Sequence, residues 1–255
     1  SRVEFAEQKQ MLGLGHAISL TRQVVGGDPM LIVYGDTIFH AALPTVMRHG
    51  GDGALGVQHV DDPGRFGVVV EEAGVVQRLV EKPTDYISDL AIVGVNHIRN
   101  SGMLFDCLDH LIQADQRTRG EFQLTDAFQR MVDAGAQLST FPVDGWFDCG
   151  TQEALLATNK TLLSRLAPSA ARQDLVVVPP VHIDPTAQVS DAVIGPHVSI
   201  GAGARVNRAI ISNSIVGEEA IVEEIVLEGS LIGFQAIVTG RAHHINVGDL
   251  SQITN

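Results

Sequence analysis

Cysteine is nearly absent from this sequence: only Cys107 and Cys149 occur, and neither forms a C-x-x-C pair or sits near a histidine cluster. That argues against a zinc-ligand framework, and nothing points to an oxidising compartment, so a cytoplasmic chain is expected. Aromatic residues make up only 5%. Positive charge is short as well, with 17 Lys and Arg against 30 Asp and Glu, a formal net charge of −13. Such a surface repels a polyanion, which argues against a nucleic-acid partner; a single nucleotide is still compatible, held by a few local cations. No apolar run approaches the roughly 18 residues of a membrane-spanning helix. The opening Ser1-Arg2-Val3-Glu4-Phe5 has neither a signal-peptide pattern nor an initiator Met, so the sequence is expected to be a fragment.

What is present fits a soluble globular protein. The 255 residues suit one large domain or two modest ones, and 45% are hydrophobic and 18% charged. The 26 glycines, set among many Val and Ile, suggest tightly turning, repetitive β structure.

The first two-thirds alternates helix-like and strand-like stretches. Residues 16–25 predict a helix stopped by Gly26-Gly27. Met30-Leu31-Ile32-Val33-Tyr34 is a continuous apolar run, the pattern of a buried parallel strand, with Gly35-Asp36 at its C-terminal end. Strands are predicted at 54–60 and 66–71. A turn at 72–74 returns a hairpin partner at 75–80, and a further strand covers 90–98. Helices are predicted at 101–113 and 125–134, with Thr125 as N-cap and Asp126 in the first turn. A strand at 137–143 and a helix at 152–166, with an apolar stripe at Leu155, Leu156, Leu162, Leu163 and Leu166, complete the region. The alternation predicts an α/β domain over 1–166 with a mostly parallel sheet.

The small, polar stretch 167–174 is the expected linker. From 175 to 255 a six-residue repeat replaces helical periodicity. Branched residues recur at Val177, Ile183 and Val189, at Ile194, Ile200 and Val206, from Val216 to Val222, and from Ile232 to Val238. Gly follows the branched residue at Gly195, Gly201, Gly217 and Gly233, and a small or branched residue comes three further on at Val198, Ala204, Ala220 and Ala236. A β-sandwich would show period-two alternation with spacings of about 8–12 residues. Period six predicts a parallel β-helix whose branched residues fill a narrow core across stacked coils.

Several short motifs could carry chemistry, and each has a bland reading beside the functional one. Asp36 follows a strand, where it could be a turn residue or could hold Mg²⁺ with phosphate oxygens. Asp148 precedes a helix, as a cap or as a second carboxylate on the same metal. Glu81-Lys82-Pro83 is either a solvated pair before a Pro stop or a sugar hydroxyl acceptor beside a phosphate cation. Arg119-Gly120-Glu121 is a polar loop or a bidentate phosphate ligand. Phe66-Gly67-Val68 is a core ring or a ring and bare backbone against a sugar. Gly13-Leu14-Gly15-His16-Ala17 is a loop before a helix or an approach for a flat base. His16 has no partner at catalytic spacing.

Together the motifs say more than each alone. Gln8, Gly13-Leu14-Gly15-His16-Ala17, Gly35-Asp36, Arg65-Phe66-Gly67-Val68, Glu81-Lys82-Pro83, Val93-Gly94, Arg119-Gly120-Glu121, Leu124-Thr125-Asp126-Ala127 and Trp146-Phe147-Asp148-Cys149-Gly150 occur in that order. The set resembles the sugar-1-phosphate nucleotidyltransferases, most closely the long type of glucose-1-phosphate thymidylyltransferase. The resemblance covers nearly the whole chain. It implies a Rossmann-like nucleotide-diphospho-sugar transferase domain, truncated at its N-terminus, followed by a left-handed parallel β-helix. It also implies that Gln8 and Gly13 contact the base, and that Phe66, Gly67, Glu81 and Val93 line the sugar site. Lys82 and Arg119 would hold the sugar 1-phosphate, and Asp36 and Asp148 would bind Mg²⁺. The implied reaction transfers a nucleotidyl group from dTTP or UTP to a sugar 1-phosphate, glucose 1-phosphate foremost, releasing pyrophosphate. A homo-oligomer is expected.

The sequence departs from the family in three places. Phe66 stands where Tyr is usual. Cys149 replaces the Thr of thymidylyl enzymes, and Asp-Cys-Gly also occurs in uridylyl relatives. The family's opening strand and Gly-rich loop, G-G-x-G-T-R-L-x-P, are missing; Gly201-Ala202-Gly203-Ala204-Arg205 is only faintly similar and lies in phase with the hexads. This stretch is therefore expected to have little activity alone. The alternatives are a non-catalytic nucleotide-sugar-binding or assembly subunit, and a hexapeptide acyltransferase using His197, His243 or His244.

Overall fold

The computed structural model describes residues 2–48, 50–166, 175–240 and 246–254. The linker stretch 167–174 and His243 and His244 lie outside the described residues. The chain divides into two compact units, Ser1–Trp146 and Phe147–Asn255.

The first unit opens with α1 (Leu14–Ser19) and α2 (Arg22–Val25), where one continuous helix was expected. It continues through β1 (Met30–Val33), β2 (Thr37–His40), α3 (Leu43–Val46), β3 (Gly53–His59), β4 (Gly67–Glu72), β5 (Val75–Glu81) and β6 (Leu90–Ile98). After these come α4 (Ser101–Gln113), α5 (Leu124–Asp133), β7 (Leu138–Pro142) and β8 (Asp144–Asp148), the last crossing the boundary between the units.

Six strands form one sheet in the order β1-β6-β3-β7-β5-β4. The expected parallel sheet is corrected here. β3 and β7 pair in parallel, whereas β1–β6, β3–β6, β4–β5 and β5–β7 are antiparallel. The hairpin and its return into β6 impose antiparallel neighbours that local pattern does not reveal. The same correction applies to β1. It runs antiparallel to β6 and ends the sheet order among the described residues. Ile32 is buried, but Leu31 and Val33 are 37% and 50% exposed.

Alternate residues of the sheet feed two apolar layers, as a pleated strand requires. Leu55, Val57, Ile92 and Ile98 pack under α4 and α5 with Phe105, Leu108 and Phe128. Ala54, Val93 and Val95 face the other way, with Val46 of α3, Phe141 and Val143. The result is a three-layer, Rossmann-like α/β arrangement.

The second unit begins with α6 (Gln152–Leu163) and continues as stacked parallel strands. They form three columns. One holds 175–177, 192–194, 210–212 and 226–228; the second 181–183, 198–200, 215–216, 231–232 and 246–247; the third 188–190, 205–207, 221–223, 237–239 and 252–254. Successive coils are shorter than three whole hexads. Val181 pairs with Val198, Ile215 with Leu231 and Leu231 with Asn246, steps of 17, 16 and 15 residues. Ile194, Ile200 and Ile211 are fully buried, each contributing about 1.5–3 kcal/mol relative to exposure. Gly217 is required by stacking: a Cβ there would lie 2.8 Å from the carbonyl carbon of Gly233 in the next coil.

Helix α6 lies against these coils. Gln152 Nε2 donates to the Gly229 carbonyl at 3.1 Å. Asn159 Nδ2 donates to the His197 carbonyl at 3.4 Å, and its Oδ1 accepts from Ser199 Oγ at 2.6 Å. The N-cap of α6 is Thr151, whose Oγ1 accepts from the Ala154 N–H at 3.2 Å.

Candidate functional site

The loop 118–125 brings the candidate residues of the first unit together. On one side it meets the N-terminal segment. The Phe122 N–H donates to the Leu12 carbonyl at 2.8 Å, and the Gly15 N–H donates to the Phe122 carbonyl at 2.8 Å. Gly13 has φ 102°, and a Cβ on it would lie 2.7 Å from Glu121 Cβ, so only Gly fits this approach. Gln8 Nε2 donates to the Gly13 carbonyl at 3.0 Å and lies 3.0 Å from His16 Nδ1. Gln8 thus supplies the partner for His16 that sequence spacing did not show.

On its other side the loop clamps the end of the hairpin. Thr125 Oγ1 donates to Glu81 Oε2 at 2.7 Å. This corrects the N-cap expectation: Gln123 precedes the first turn of α5, and the Thr125 hydroxyl is spent on Glu81. Gly67 pairs with Glu81 across β4 and β5, and a Cβ on Gly67 would lie 2.5 Å from Thr125 Oγ1 and 2.9 Å from Glu81 Oε2. Glu81 is nearly enclosed, its side chain 8% exposed, with Lys82 Nζ 3.7 Å from Oε1.

Lys82 and Arg119 are joined directly: an Arg119 terminal nitrogen donates to the Lys82 carbonyl at 2.7 Å. Both residues hold left-handed backbone, at φ 42° and 54°. For a side-chain-bearing residue that conformation costs energy and gathers at ligand clamps. Here it holds the two cations on adjoining turns, Lys82 beside Glu81 and Arg119 over the Lys82 carbonyl.

Phe66 packs edge-on against Trp146, ring centroids 5.1 Å apart at 70°. The Arg65 guanidinium lies 5.4 Å from the Phe66 ring centre. Trp146 Nε1 is buried and has no hydrogen-bond partner among the described residues.

Asp36 is exposed after β1, and Thr37 Oγ1 donates to its Oδ1 at 3.5 Å. Sequence reasoning overlooked its neighbour Tyr34. The Tyr34 N–H donates to the Gly94 carbonyl at 2.8 Å, and a Cβ on Gly94 would strike the Tyr34 ring at 2.7 Å. Burial, then the Glu81 and Asp36 carboxylates, push the Tyr34 phenol well above its ordinary value, so it stays a donor. Its place inside an apolar run hid it. Val93 is fully buried in the small core layer, which leaves only its backbone for a ligand. Asp148 belongs to the second unit, where its Oδ1 accepts from the Gly150 N–H at 3.1 Å. Among the described residues no group of three or more His, Cys, Asp or Glu could hold a metal alone.

The Nucleotidyl transferase family matches residues 1–165, and a GlmU-like C-terminal hexapeptide family matches residues 168–222. Over 174 residues the chain is 31% identical to a glucose-1-phosphate thymidylyltransferase of Streptomyces antibioticus, covering 65% of this chain and 47% of that protein. Over 177 residues it is 30% identical to the bifunctional protein GlmU of Methanococcus vannielii, covering 66% and 40%. The chain thus spans less than half the length of both relatives. A solved structure of a Bacillus anthracis protein, described as a glucose-1-phosphate thymidylyltransferase, superposes with a TM-score of 0.51 at 26% identity. That match covers 64% of this chain and 65% of the other.

Proposed function

The chain belongs to the nucleotidyl transferase family, and on that premise we propose that it binds a sugar 1-phosphate and accepts a nucleotidyl group onto it from a nucleoside triphosphate, with release of pyrophosphate. The thymidylyltransferase relative favours glucose 1-phosphate as the sugar and dTTP as the donor, while Cys149 keeps UTP beside dTTP.

The reaction is an in-line attack by a phosphate oxygen on the α-phosphorus. It needs positioning and charge neutralisation more than acid or base catalysis. The observation that carries the reading is the pairing of Glu81, held by Thr125, with Lys82, held by Arg119. Glu81 accepts sugar hydroxyls. Lys82 Nζ and the free donors of Arg119 bind the sugar phosphate and offset its repulsion from the triphosphate. Phe66, Gly67 and the backbone at Val93 border the sugar, and Gln8 and Gly13 border the base.

Asp36 of the first unit and Asp148 of the second are each the kind of ligand that Mg²⁺ favours, one or two carboxylates completed by phosphate oxygens and water. Among the described residues Asp36 has a single long side-chain contact and Asp148 accepts one N–H, so each keeps lone pairs for an ion. The bound ion would neutralise phosphate charge. These 255 residues contain no G-G-x-G-T-R segment, and this stretch alone is expected to bind a nucleotide-sugar while turning over little. The stacked coils would support a homo-oligomer.

Thermal shift with Mg²⁺ and a panel of dTDP-glucose, UDP-glucose, UDP-N-acetylglucosamine and ADP-glucose tests the reading. A selective stabilisation by one nucleotide-sugar, lost in Lys82→Met, is the expected result. A shift that Lys82→Met and Arg119→Gln both leave intact refutes the assigned site.

A further inference from the structure

The sheet also curls until β4 meets β6. Val68 of β4 pairs with Ala91 of β6, so β6, β3, β7, β5 and β4 form a ring. Where the ring opens, a cavity of about 660 Å³ lies between the ends of β3, β4 and β7 and the segment 87–90. Glu81, Lys82, Arg119 and Asp36 take no part in its walls.

The lining has two characters. Val57, Val69 and Val143 form a buried apolar wall. Glu71, Asp89 and Asp144 supply three carboxylates, and among the described residues neither Lys nor Arg lines the cavity. His59 is the one basic group there among the described residues, its Nδ1 3.0 Å from Asp89 Oδ1. Thr140 Oγ1 donates to Glu71, and both line the cavity. Gln58 also lines the cavity, and among the described residues its buried Oε1 has no hydrogen-bond partner. A buried acceptor without a donor is uncommon in folded proteins and calls for an explanation.

We propose that this cavity is a second small-molecule site, selective for an organic ammonium with an apolar body. The volume lies within the range of ligand pockets, and apolar walls with a few convergent polar groups are their usual lining. The body would displace water from the valines. The ammonium N–H groups would meet the carboxylates as charge-assisted bonds, and a small turn of the Gln58 side chain would bring its enclosed Oε1 within their reach. The same carboxylates repel phosphate esters, so this site and the transfer site select opposite charge. The proposal stands independently of the transfer reaction.

Tryptamine, tryptophol and indole-3-acetate share an indole body and differ in carrying an ammonium, a hydroxyl or a carboxylate. Titrated into the ¹⁵N-labelled chain, tryptamine is expected to bind at least about tenfold more tightly than tryptophol, and indole-3-acetate not at all. The shifted amides should be those of Gln58, Glu71 and Leu90. Gln58→Leu and Glu71→Gln should each weaken tryptamine by about five- to tenfold. Similar binding of all three probes, tryptamine affinity unchanged in both variants, shifts confined to other segments, or no binding at millimolar concentration overturns the proposal. The charge series on the unaltered chain keeps the test valid even if a variant misfolds.

Discussion

Replacing Thr125 by Val tests the clamp on Glu81 most directly. Valine keeps the branched shape and removes the hydroxyl that donates to Glu81 Oε2 at 2.7 Å. A hydrogen bond to a charged acceptor contributes about 1.5–3 kcal/mol, and losing its donor strands the acceptor. With its side chain 8% exposed, Glu81 has little access to replacement water, while Lys82 Nζ at 3.7 Å remains a partial partner. The loss should therefore fall in the lower half of that range, about 1.5–2 kcal/mol. For a unit of this size that lowers the melting temperature by about 5 °C. Circular dichroism melts of Thr125→Val and Thr125→Ser measure it. Serine keeps the donor and should melt near the parent, which separates the hydroxyl from the methyl. Nucleotide-sugar affinity should fall about tenfold in the valine variant alone, a loss of about 1.4 kcal/mol. A valine variant that melts within about 1 °C of the parent, or a serine variant just as unstable, would refute the clamp.

Three further outcomes follow from particular contacts. Gly67→Ala places a Cβ 2.5 Å from Thr125 Oγ1 and 2.9 Å from Glu81 Oε2, so thermal-shift binding of nucleotide-sugar should be abolished even where the fold survives. Gly195→Ala sets a Cβ 1.9 Å from the Val178 carbonyl at φ 112° and should cost more than about 3 kcal/mol in urea melts, whereas Gly26→Ala, at φ 62° and ψ −120° with nothing within 4 Å, should cost less, about 2 kcal/mol. The Gln137 N–H and then the Asn100 side chain hold the Asp52 carboxyl below its ordinary value. Its contribution is present at neutral pH and is lost as pH falls through the lowered value, below about pH 4. Asp52→Asn should be less stable at pH 7, with a flatter acid limb of midpoint against pH.

The sequence announced whatever is local. Strand 90–98 and helix 101–113 occur at the bounds that periodicity predicts. The recurring Val and Ile of the last third occupy the coil interior, from Val189 to Val238. Partner choice was less legible. An apolar run at Met30–Val33 predicts a strand, but whether its neighbour runs parallel depends on a contact more than 60 residues away, Met30 with Ile98. Thr125 has the composition of a cap; only the folded hairpin shows that its hydroxyl serves Glu81. Residues 16–25 break into two short helices because the Thr21 hydroxyl bonds the Ile18 carbonyl, competing with the backbone ladder. Of the candidate groups, Glu81, Lys82, Arg119 and Gly67 converge in the first unit, whereas Tyr34 was invisible because an aromatic in an apolar run resembles core.

Helix α6 and the coils it touches keep time with each other. Gln152 and Asn159 are seven residues apart, about 10.5 Å of helix at 1.5 Å per residue. Their targets, Gly229 and His197, lie two coils apart, about 9.6 Å at the usual strand spacing. The two repeats nearly coincide, so one face of the helix meets equivalent carbonyls two storeys apart. A column altered by one storey between those points would move about 5 Å out of step with its gauge. Keeping both grips would take about three added or deleted helical residues. The number of storeys beside the helix is thereby tied to the helix's own length, a dimension that coil-by-coil stacking leaves open.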